Sequence, residues 1–299
     1  MPVVIVVGLV RDAARTFQRD YERLNSELSK VASVYWHVVE SDSKDGTVQL
    51  LEKISLRNKN FRYSALGNLT KTIPGRLDRI AHCRNEYLEK LSSLELKDAD
   101  AYLLVADLDG INKLLRAAAI RKAMDYRDYA MLSANQRGPY YDISALRAER
   151  WNDHDCWDSY QRLLDNGFDE PTAHQVAVKS KMIRISEQLP PIPVASSFGG
   201  AALYRLSYIT GARYSSTYDG LTNICEHVSF NSKVRENGGK LAIAPWLINS
   251  SYNEHTYSMN PFVEPLRPAI VLARKLAFRV LGKGRAENLY FFLRRISGF

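Results

Sequence analysis

Two carboxylates follow a run of apolar residues in the stretch YLLVADLDG, which spans residues 102–110. Side chains at positions i and i+2 of a strand share a face, so Asp107 and Asp109 are predicted to point the same way. Neighbouring carboxylates repel each other, and Mg²⁺ or Mn²⁺ removes that conflict by binding their oxygens together with those of a diphosphate. The spacing therefore favours a cation bridge to a nucleotide diphosphate, with a solvated strand end as the alternative.

A second acidic group closes the preceding predicted strand, in the stretch ESDSKDGT over residues 40–47. Asp42 and Asp45 at such a strand end can accept hydrogen bonds from a ribose or a base. The alternative is a turn in which Gly46 takes a positive φ and Thr47 caps the next helix. Both interpretations can hold together.

Basic and amide side chains interrupt a predicted amphipathic helix in GRLDRIAHCRNEYLEKL, which begins just after a Pro-Gly pair. Arg76 and Arg79 are neighbours at i, i+3, and Asn85 follows Arg84. Guanidinium groups bind diphosphate through paired hydrogen bonds. Because a buried charge needs a partner, Arg84 and Asn85 indicate a buried or ligand-facing role. A solvated basic face is the alternative.

The elements that must position these residues alternate between strand and helix. Apolar residues at helical spacing follow the first β-branched run, and the runs VYWHVVE, FRYSAL and AYLLVA predict three more strands. This alternation predicts an α/β sheet with parallel strands and ligand groups at their carboxyl ends. After Asp142 the pattern is less regular, until SSFGGAALYR predicts a strand, NICEHVSFNSKVRENGG a helix and KLAIAPWLINSS a last strand.

The composition is that of a soluble globular protein, with 45% apolar and 25% charged residues in a chain of 299. The sequence contains no apolar run of about eighteen residues, so we expect no membrane-spanning helix. The first residues, MPVVIVVGLVRD, lack the basic region of a signal peptide. The three cysteines (Cys83, Cys156 and Cys225) have no metal-type spacing, so we expect reduced thiols in a cytoplasmic protein.

Most of the formal charge of +8 comes from the C-terminal segment 261–299. It contains eight basic residues and two acidic ones, Glu264 and Glu287, which gives a net charge of +6. The remaining body is near neutral, which argues against a nucleic-acid binder. Apolar residues at helical spacing, flanked by basic ones, predict an amphipathic helix over 266–285. Such a helix can lie on the anionic inner face of the cell membrane, or pack on the body with a solvated basic face.

The stretches SDSKDGT, RLDRIAHCRNEYLEKL, LLVADLD, FGGAALYR and CEHVSFN, in this order, resemble a GT-A-type glycosyltransferase. The sequence is most similar to the fungal capsule-associated α-mannosyltransferases, in which an R-[IL]-D-x-[LI]-A-x-x-R-N helix precedes the metal strand. The resemblance spans about Val3 to His255. It implies a Rossmann-like, mixed central sheet flanked by helices over residues 1–260, with 1–142 binding the nucleotide sugar and 143–260 the acceptor, followed by the amphipathic tail 261–299.

The resemblance also implies a metal site and a donor site. Asp107 and Asp109 would bind Mn²⁺ or Mg²⁺, Asp109 more strongly, and His255 in YNEHTY would complete the coordination. A hydrogen-bonded loop residue is the alternative for His255. Gly199 and Gly200 would lie beside the donor sugar, and Asp42 and Asp45 beside the nucleotide; the glycines could instead permit a β-bulge or close backbone packing.

Glu226 in CEH takes the place of the acidic residue that begins the acceptor-side helix, where an inverting enzyme keeps its base. The chain departs from the resemblance at His227, where a second acid is usual. A solvent-exposed acid in the first helical turn is the alternative for Glu226, since the helix dipole favours it there.

Together these residues predict transfer of a sugar from GDP-mannose or a UDP-hexose to a hydroxyl of a glycan or lipid-linked saccharide, in surface polysaccharide or glycan synthesis. The resemblance favours mannose and retention, which the residues themselves do not decide. A non-catalytic nucleotide- or carbohydrate-binding protein on a decayed transferase fold is one alternative. A sugar nucleotidyltransferase is another, although GLVRDAAR, with Arg11 and Arg15, lacks the Gly-rich spacing of a phosphate loop.

Overall fold

Strands and helices alternate through the first half of the chain in the computed structural model, which describes residues 1–92, 100–253 and 255–260. The elements are β1 (Val3–Val10), α1 (Phe17–Leu28), β2 (Ser33–Glu40), α2 (Thr47–Arg57), β3 (Phe61–Ala65), α3 (Arg76–Ser92), β4 (Ala101–Ala106), α4 (Ala117–Asp125) and β5 (Met131–Gln136). The order predicted through β4 is confirmed. The helix α4 and the strand β5 were not predicted, and β5 is hard to recognise because Ser133, Asn135 and Gln136 break its apolar pattern.

The second half of the chain contributes shorter elements. They are α5 (Cys156–Asp165), α6 (Glu170–Ala177), β6 (Ile192–Pro193), β7 (Ala201–Arg205), β8 (Thr217–Tyr218), β9 (Leu221–Thr222), α7 (Glu226–Glu236) and β10 (Leu241–Ser250). The predicted strand after the glycine pair, the helix beginning at Glu226 and the last strand are confirmed. The predicted tail 261–299, with its amphipathic helix over 266–285, lies outside the described residues.

Eight strands form one mixed sheet in the order β3-β2-β1-β4-β7-β5-β10-β6. The first four are parallel, as predicted, whereas β7 lies antiparallel between β4 and β5. β10 runs parallel to β5, β6 pairs with it antiparallel, and β8 and β9 form a separate hairpin. The mixed central sheet flanked by helices confirms the predicted fold class.

Apolar residues bury the sheet on both faces. Successive side chains of β1 alternate, so Val4 and Val6 join one core cluster with Phe17, while Ile5 and Val7 join another. Burial on both faces explains why the β1 sequence is an unbroken apolar run. Among the described residues, no helix is long and apolar enough to cross a membrane.

One edge of the sheet collects the segments that hold the predicted site. Parallel pairing aligns Val10, Glu40 and Ala65 at the carboxyl ends of β1, β2 and β3. The antiparallel β7 starts at this same edge, because its first residue, Ala201, pairs with Ala106 at the end of β4. The loops after these four parallel strands and the glycine pair before β7 therefore lie side by side.

Candidate active site

Arg84 is a buried cation between two carboxylates. Its Nε donates to Oε1 of Glu226 at 2.8 Å, and both side chains are 6% exposed. Its Nη2 lies 3.6 Å from Oδ1 of Asp107. The guanidinium also lies over the rings of Phe198 and Tyr214, 5.3 and 5.5 Å from their centroids. Arg84 thus has the charged partner that its burial requires, and Glu226 is a buried acid, so the exposed-acid alternative for Glu226 is wrong.

The acid pair lies in the loop after β4, because that strand ends at Ala106. Asp107 is half-buried beside Arg84, whereas Asp109 is exposed and accepts a hydrogen bond from the backbone of Ile111 at 3.1 Å. Strand alternation therefore does not place the two acids, and that part of the prediction is wrong. The positions of the two carboxylates are determined by a turn, in which Leu108, the residue between them, is buried.

Burial and the surrounding acids change the protonation of this loop. Burial raises the pKa of Asp107 to about 8, with Asp109, Asp142 and Glu226 adding to the rise and the positive charge of Arg84 opposing it. Burial also raises the pKa of Asp142, although its carboxylate accepts from the backbone N–H groups of Gly199 at 2.9 Å and Ala145 at 3.3 Å. The carboxyl groups here carry more potential negative charge than Arg84 offsets.

This surplus of carboxyl oxygens fits a divalent cation. Mg²⁺ and Mn²⁺ use one or two protein carboxylates and complete their coordination with water and phosphate oxygens. A cation beside Asp107 would replace the proton that its raised pKa retains. No three His, Cys, Asp or Glu side chains within the described ranges stand close enough together to hold a metal ion. The predicted set of Asp107, Asp109 and His255 is therefore not a preassembled three-ligand site.

His255 is an exposed residue whose ring stacks on Tyr141, with centroids 5.2 Å apart and planes at 7°. Its backbone N–H donates to the side chain of Asn253 at 3.0 Å. It is near enough to Asp142 to lower the pKa of that carboxyl. The structure thus places His255 beside Asp142 and Tyr141, on one side of the group of acids formed by Asp107, Asp109, Asp142 and Glu226.

The two glycines before β7 permit a close approach of backbones. Both have positive φ, 65° at Gly199 and 83° at Gly200. A Cβ on Gly199 would meet the carbonyl oxygen of Ala134 at 2.6 Å, and one on Gly200 would meet the hydroxyl of Tyr141 at 2.7 Å. The carbonyl of Gly200 accepts from the N–H of Asp107 at 2.9 Å. The alternative of close backbone packing is confirmed. It puts these glycines directly beside the loop after β4 that carries Asp107 and Asp109, called the acid loop below.

The acidic turn after β2 borders a cavity of about 470 Å³. Asp42 has a φ of 61° and accepts from the hydroxyl and the N–H of Thr70, which lower its pKa. The positive φ predicted for Gly46 is wrong, since its φ is −77°. The cavity is lined by the residues Arg11, Glu40, Asp42, Ser43, Lys44, Val48, Ala65, Gly67, Asn68, Thr70 and Lys71.

Asp45 has a structural role at the start of α2. Its Oδ1 accepts from the N–H of Thr47 at 3.0 Å, and its Oδ2 accepts from the N–H of Ala14 at 3.1 Å. Thr47 instead turns its hydroxyl to the N–H of Ala13, at 2.8 Å. The turn alternative is right in outline, but the capping carboxylate belongs to Asp45 and the predicted Thr47 cap is wrong.

The other predicted donor-binding residues of α3 do not converge on the acid loop. Arg79 donates to the carbonyls of Ile73 and Pro74, each at 2.7 Å, and so fixes the segment before the helix. Asn85 exchanges two hydrogen bonds of 2.9 Å with the backbone of Tyr214. Arg76 is exposed in the first turn. Helical spacing alone could not reveal that the side chains of Arg79 and Asn85 form hydrogen bonds with backbone groups.

Asp142 is a site residue to which the sequence pattern gives no catalytic or metal-binding role. It follows β5 in the stretch PYYD, and the unrecognised strand concealed that it ends at the same sheet edge. His227 is a second such residue, since its ring stacks on Phe198 with centroids 3.8 Å apart. Nε2 of His227 lies 3.7 Å from Oε1 of Glu226, and neither ring nitrogen has a hydrogen-bond partner among the described residues.

No protein-family model matches the sequence, and a search of curated proteins finds no match. Among solved structures, the chain is similar to a mannosyltransferase from Pyrobaculum calidifontis in complex with GDP-Man and Mn²⁺, at 13% identity and a TM-score of 0.48, covering 95% of this chain and 65% of that one. TarS of S. aureus has 15% identity and a TM-score of 0.45, with 95% of this chain and 66% of that one covered.

A third similar structure is mannosyl-3-phosphoglycerate synthase from Rubrobacter xylanophilus, at 13% identity and a TM-score of 0.40, covering 94% of this chain and 75% of that one. The chain spans just under two thirds of the length of the first two structures. With TM-scores below 0.5, these similarities define neither an activity nor a substrate for this chain.

Proposed function

We propose that the chain is a metal-dependent glycosyltransferase that moves a sugar from a nucleotide diphosphate sugar to a hydroxyl of a glycan or glycolipid acceptor. The observation that carries the proposal is that Asp109, Asp142 and Glu226 all lie near enough to Asp107 to raise its pKa. Arg84 contacts both Asp107 and Glu226, and the group lies at the carboxyl edge of the sheet. Open α/β sheets bind ligands outside the carboxyl ends of their strands. A cavity with cationic residues in its wall opens at this same edge.

The nucleoside would occupy that cavity. Its volume of about 470 Å³ suits a small ligand. Glu40 and Asp42 supply acceptors for ribose hydroxyls and base N–H groups, and Arg11, Lys44 and Lys71 supply positive charge for phosphates. The diphosphate would extend from the end of β2 toward the acid loop after β4. GDP-mannose and UDP-hexoses are the donors proposed.

Departure of the nucleoside diphosphate builds negative charge on its phosphate oxygens. Mn²⁺ or Mg²⁺ held by Asp107 and Asp109 would supply Lewis-acid stabilisation of that charge. Arg84 adds a preorganised guanidinium beside this loop, because Glu226 holds it at 2.8 Å and offsets part of its charge, while Asp107 lies 3.6 Å from it. Preorganised charge of this kind needs no rearrangement during the reaction.

Glu226 and Asp142 divide the remaining acid chemistry in this proposal. Oε1 of Glu226 is bound to Arg84 and its side chain is buried, so we assign Glu226 to holding the guanidinium in place. Asp142 is half-buried, and its raised pKa brings its proton exchange toward neutral pH. Asp142, the last residue of the proposed nucleotide-sugar half 1–142, is therefore the carboxyl proposed to face the acceptor hydroxyl, and residues 143–260 would bind the rest of the acceptor.

Release of nucleoside diphosphate from a panel of GDP- and UDP-sugars, with Mn²⁺ or with a chelator, tests the proposal. We expect turnover that needs the metal and falls about 10²- to 10³-fold in Asp109→Ala, the range for losing one transition-state contact. Asp128→Ala is the matched control, because this exposed acid precedes β5 at the other edge of the sheet. Metal-independent turnover, or full activity of Asp109→Ala, contradicts the proposal.

The same panel separates the alternative functions. Binding of nucleotide sugars without release or transfer identifies a non-catalytic binding protein. Formation of a nucleotide sugar from a nucleoside triphosphate and a sugar phosphate identifies a nucleotidyltransferase.

We also propose that residues 266–285 contact the membrane, which would bring a lipid-linked acceptor to the site in surface polysaccharide synthesis. The proposal rests on the apolar and basic pattern of that segment, with a net charge of +6 over 261–299. Co-sedimentation with anionic liposomes is expected for the full chain and not for a chain ending at Asn260. Equal recovery of both in the pellet contradicts it.

A further inference from the structure

Three buried carboxamides form one hydrogen-bonded chain beneath the acid loop. They are Gln136 at the end of β5, Asn249 in β10 and Asn112 in the loop after β4, each at most 3% exposed. Nε2 of Gln136 donates to Oδ1 of Asn249 at 3.1 Å, and Nδ2 of Asn249 donates to Oδ1 of Asn112 at 2.9 Å. The chain thus links three segments distant in sequence.

Gln136 and Asn249 each donate their second NH₂ hydrogen to a backbone carbonyl, and Asn112 donates both of its hydrogens to backbone carbonyls. Gln136 and Asn249 both bind the carbonyl of Gly199, at 3.0 and 2.8 Å. Asn112 binds the carbonyls of Asp107 at 2.7 Å and Gly200 at 2.9 Å. Exchanging oxygen and nitrogen in any of these amides would place oxygen against oxygen, so the direction of the chain is fixed.

The ends of this chain hold the backbone segments beside two carboxyls, Asp107 and Asp142. Asn112 holds the backbone of Asp107 itself. Gly199, whose carbonyl accepts a hydrogen bond from Asn249, donates its N–H to Oδ2 of Asp142 at 2.9 Å. Asn249 is the link common to both ends, and its own carbonyl accepts from Leu114 at 2.7 Å to anchor the acid loop again.

We propose that Asn249 is a positioning residue that sets the separation of Asp107 and Asp142. It touches neither carboxylate and acts through Asn112 on one side and Gly199 on the other. The inference rests on the proposed function for its catalytic consequence, because the separation matters there for metal and acceptor binding. Displacements of about 1 Å in such sites can cost about 10²-fold in rate.

The test is the isosteric variant Asn249→Asp, which keeps shape but replaces the NH₂ donor with oxygen. Asn135→Asp is the matched control, since Asn135 is also fully buried and its Nδ2 donates to two backbone carbonyls, those of Ile185 and Pro245. Both variants lose comparable hydrogen bonds, so both are expected to lose stability. Only Asn249→Asp is expected to disturb the acid and glycine loops.

Hydrogen exchange followed by mass spectrometry gives the first readout. We expect faster exchange in peptides covering 107–114 and 199–203 in Asn249→Asp, with the peptide over 3–10 unchanged as an internal reference. Unchanged exchange in the two loops, or an equal change in Asn135→Asp, overturns the proposal. This readout is independent of any activity.

The second readout is the Mn²⁺ concentration that gives half-maximal donor turnover, expected to rise about tenfold in Asn249→Asp, the lower end for outer-shell changes. A general loss of folded protein lowers turnover without moving this concentration, so an unmoved value overturns the proposal. If the wild-type chain turns over no donor, the proposed function fails, while hydrogen exchange still decides the coupling. If Asn249→Asp does not fold, Gln136→Glu is expected to give the same changes and is judged by the same criteria.

Discussion

The guanidinium of Arg84 donates to the carboxylate of Glu226 at 2.8 Å across 142 residues of sequence. This buried contact joins α3 to the first residue of α7 and holds the guanidinium near Asp107. The two helices come from the two predicted halves of the chain. The ion pair is therefore both a structural tie between the halves and the contact that fixes the guanidinium in the proposed site.

Removing one partner of this pair is expected to destabilise the fold strongly. Arg84→Met leaves Glu226 as a buried carboxylate without its guanidinium, and we expect the free energy of unfolding to fall by about 3 to 5 kcal/mol. The double variant Arg84→Met, Glu226→Leu removes both charges and should regain most of that loss. Urea denaturation of the wild type, both single variants and the double variant measures the coupling; strictly additive losses contradict the buried pair.

His227 makes a pH prediction possible. Burial, and next the charge of Arg84, lower its pKa well below the ordinary value. The unfolded chain then binds a proton at His227 below about pH 6.5 that the folded chain does not, so stability is present above that pH and lost as pH falls. His227→Leu should flatten the pH dependence of unfolding by about 1.4 kcal/mol per pH unit below that point. Urea denaturation from neutral pH to about pH 5 measures this slope, and an identical slope in both proteins contradicts it.

Gly199→Ala should damage both stability and activity. Its new Cβ would lie 2.6 Å from the carbonyl of Ala134, and its φ of 65° is already unfavourable for alanine. Gly167→Ala is the control, because Gly167 has a φ of 85° and nothing within 4 Å of its Cβ position. The control should lose about 1 to 2 kcal/mol from the backbone alone.

We expect Gly199→Ala to lose measurably more, and donor turnover to fall only there. Thermal unfolding and turnover of the two variants are the measurements. Equal losses of stability would show that the close approach to Ala134 costs nothing.

The cationic wall of the nucleotide cavity gives a binding prediction. Lys44→Ala removes a positive charge from the turn after β2, and we expect about tenfold weaker binding of nucleoside diphosphate, the low end for a charge-assisted hydrogen bond. Lys53→Ala on the exposed side of α2 is the control. Calorimetric titration at low and high salt measures both; equal affinities for the two variants would place the phosphates elsewhere.

Local patterns in the sequence were enough to predict the first four strands, the helix beginning at Arg76 and the partnered burial of Arg84. Those features depend on periodicity within one element and on the rule that buried charge is paired. The antiparallel β7 and the role of Asp142 depend instead on how distant segments meet, which no local pattern records. Likewise, Asn85 and Arg79 look free to bind a ligand in the sequence, but backbone carbonyls and amides of other segments occupy them.

The central claim is that a divalent cation binds between the acid loop and the diphosphate of a donor. A crystal structure with Mn²⁺ and GDP or UDP tests it most directly, through the anomalous signal of manganese. We expect one peak bonded to the carboxylates of Asp107 and Asp109 and to diphosphate oxygens, with the nucleoside in the cavity beside Asp42. Manganese bound elsewhere, or a nucleotide bound with both carboxylates turned to solvent, would contradict it.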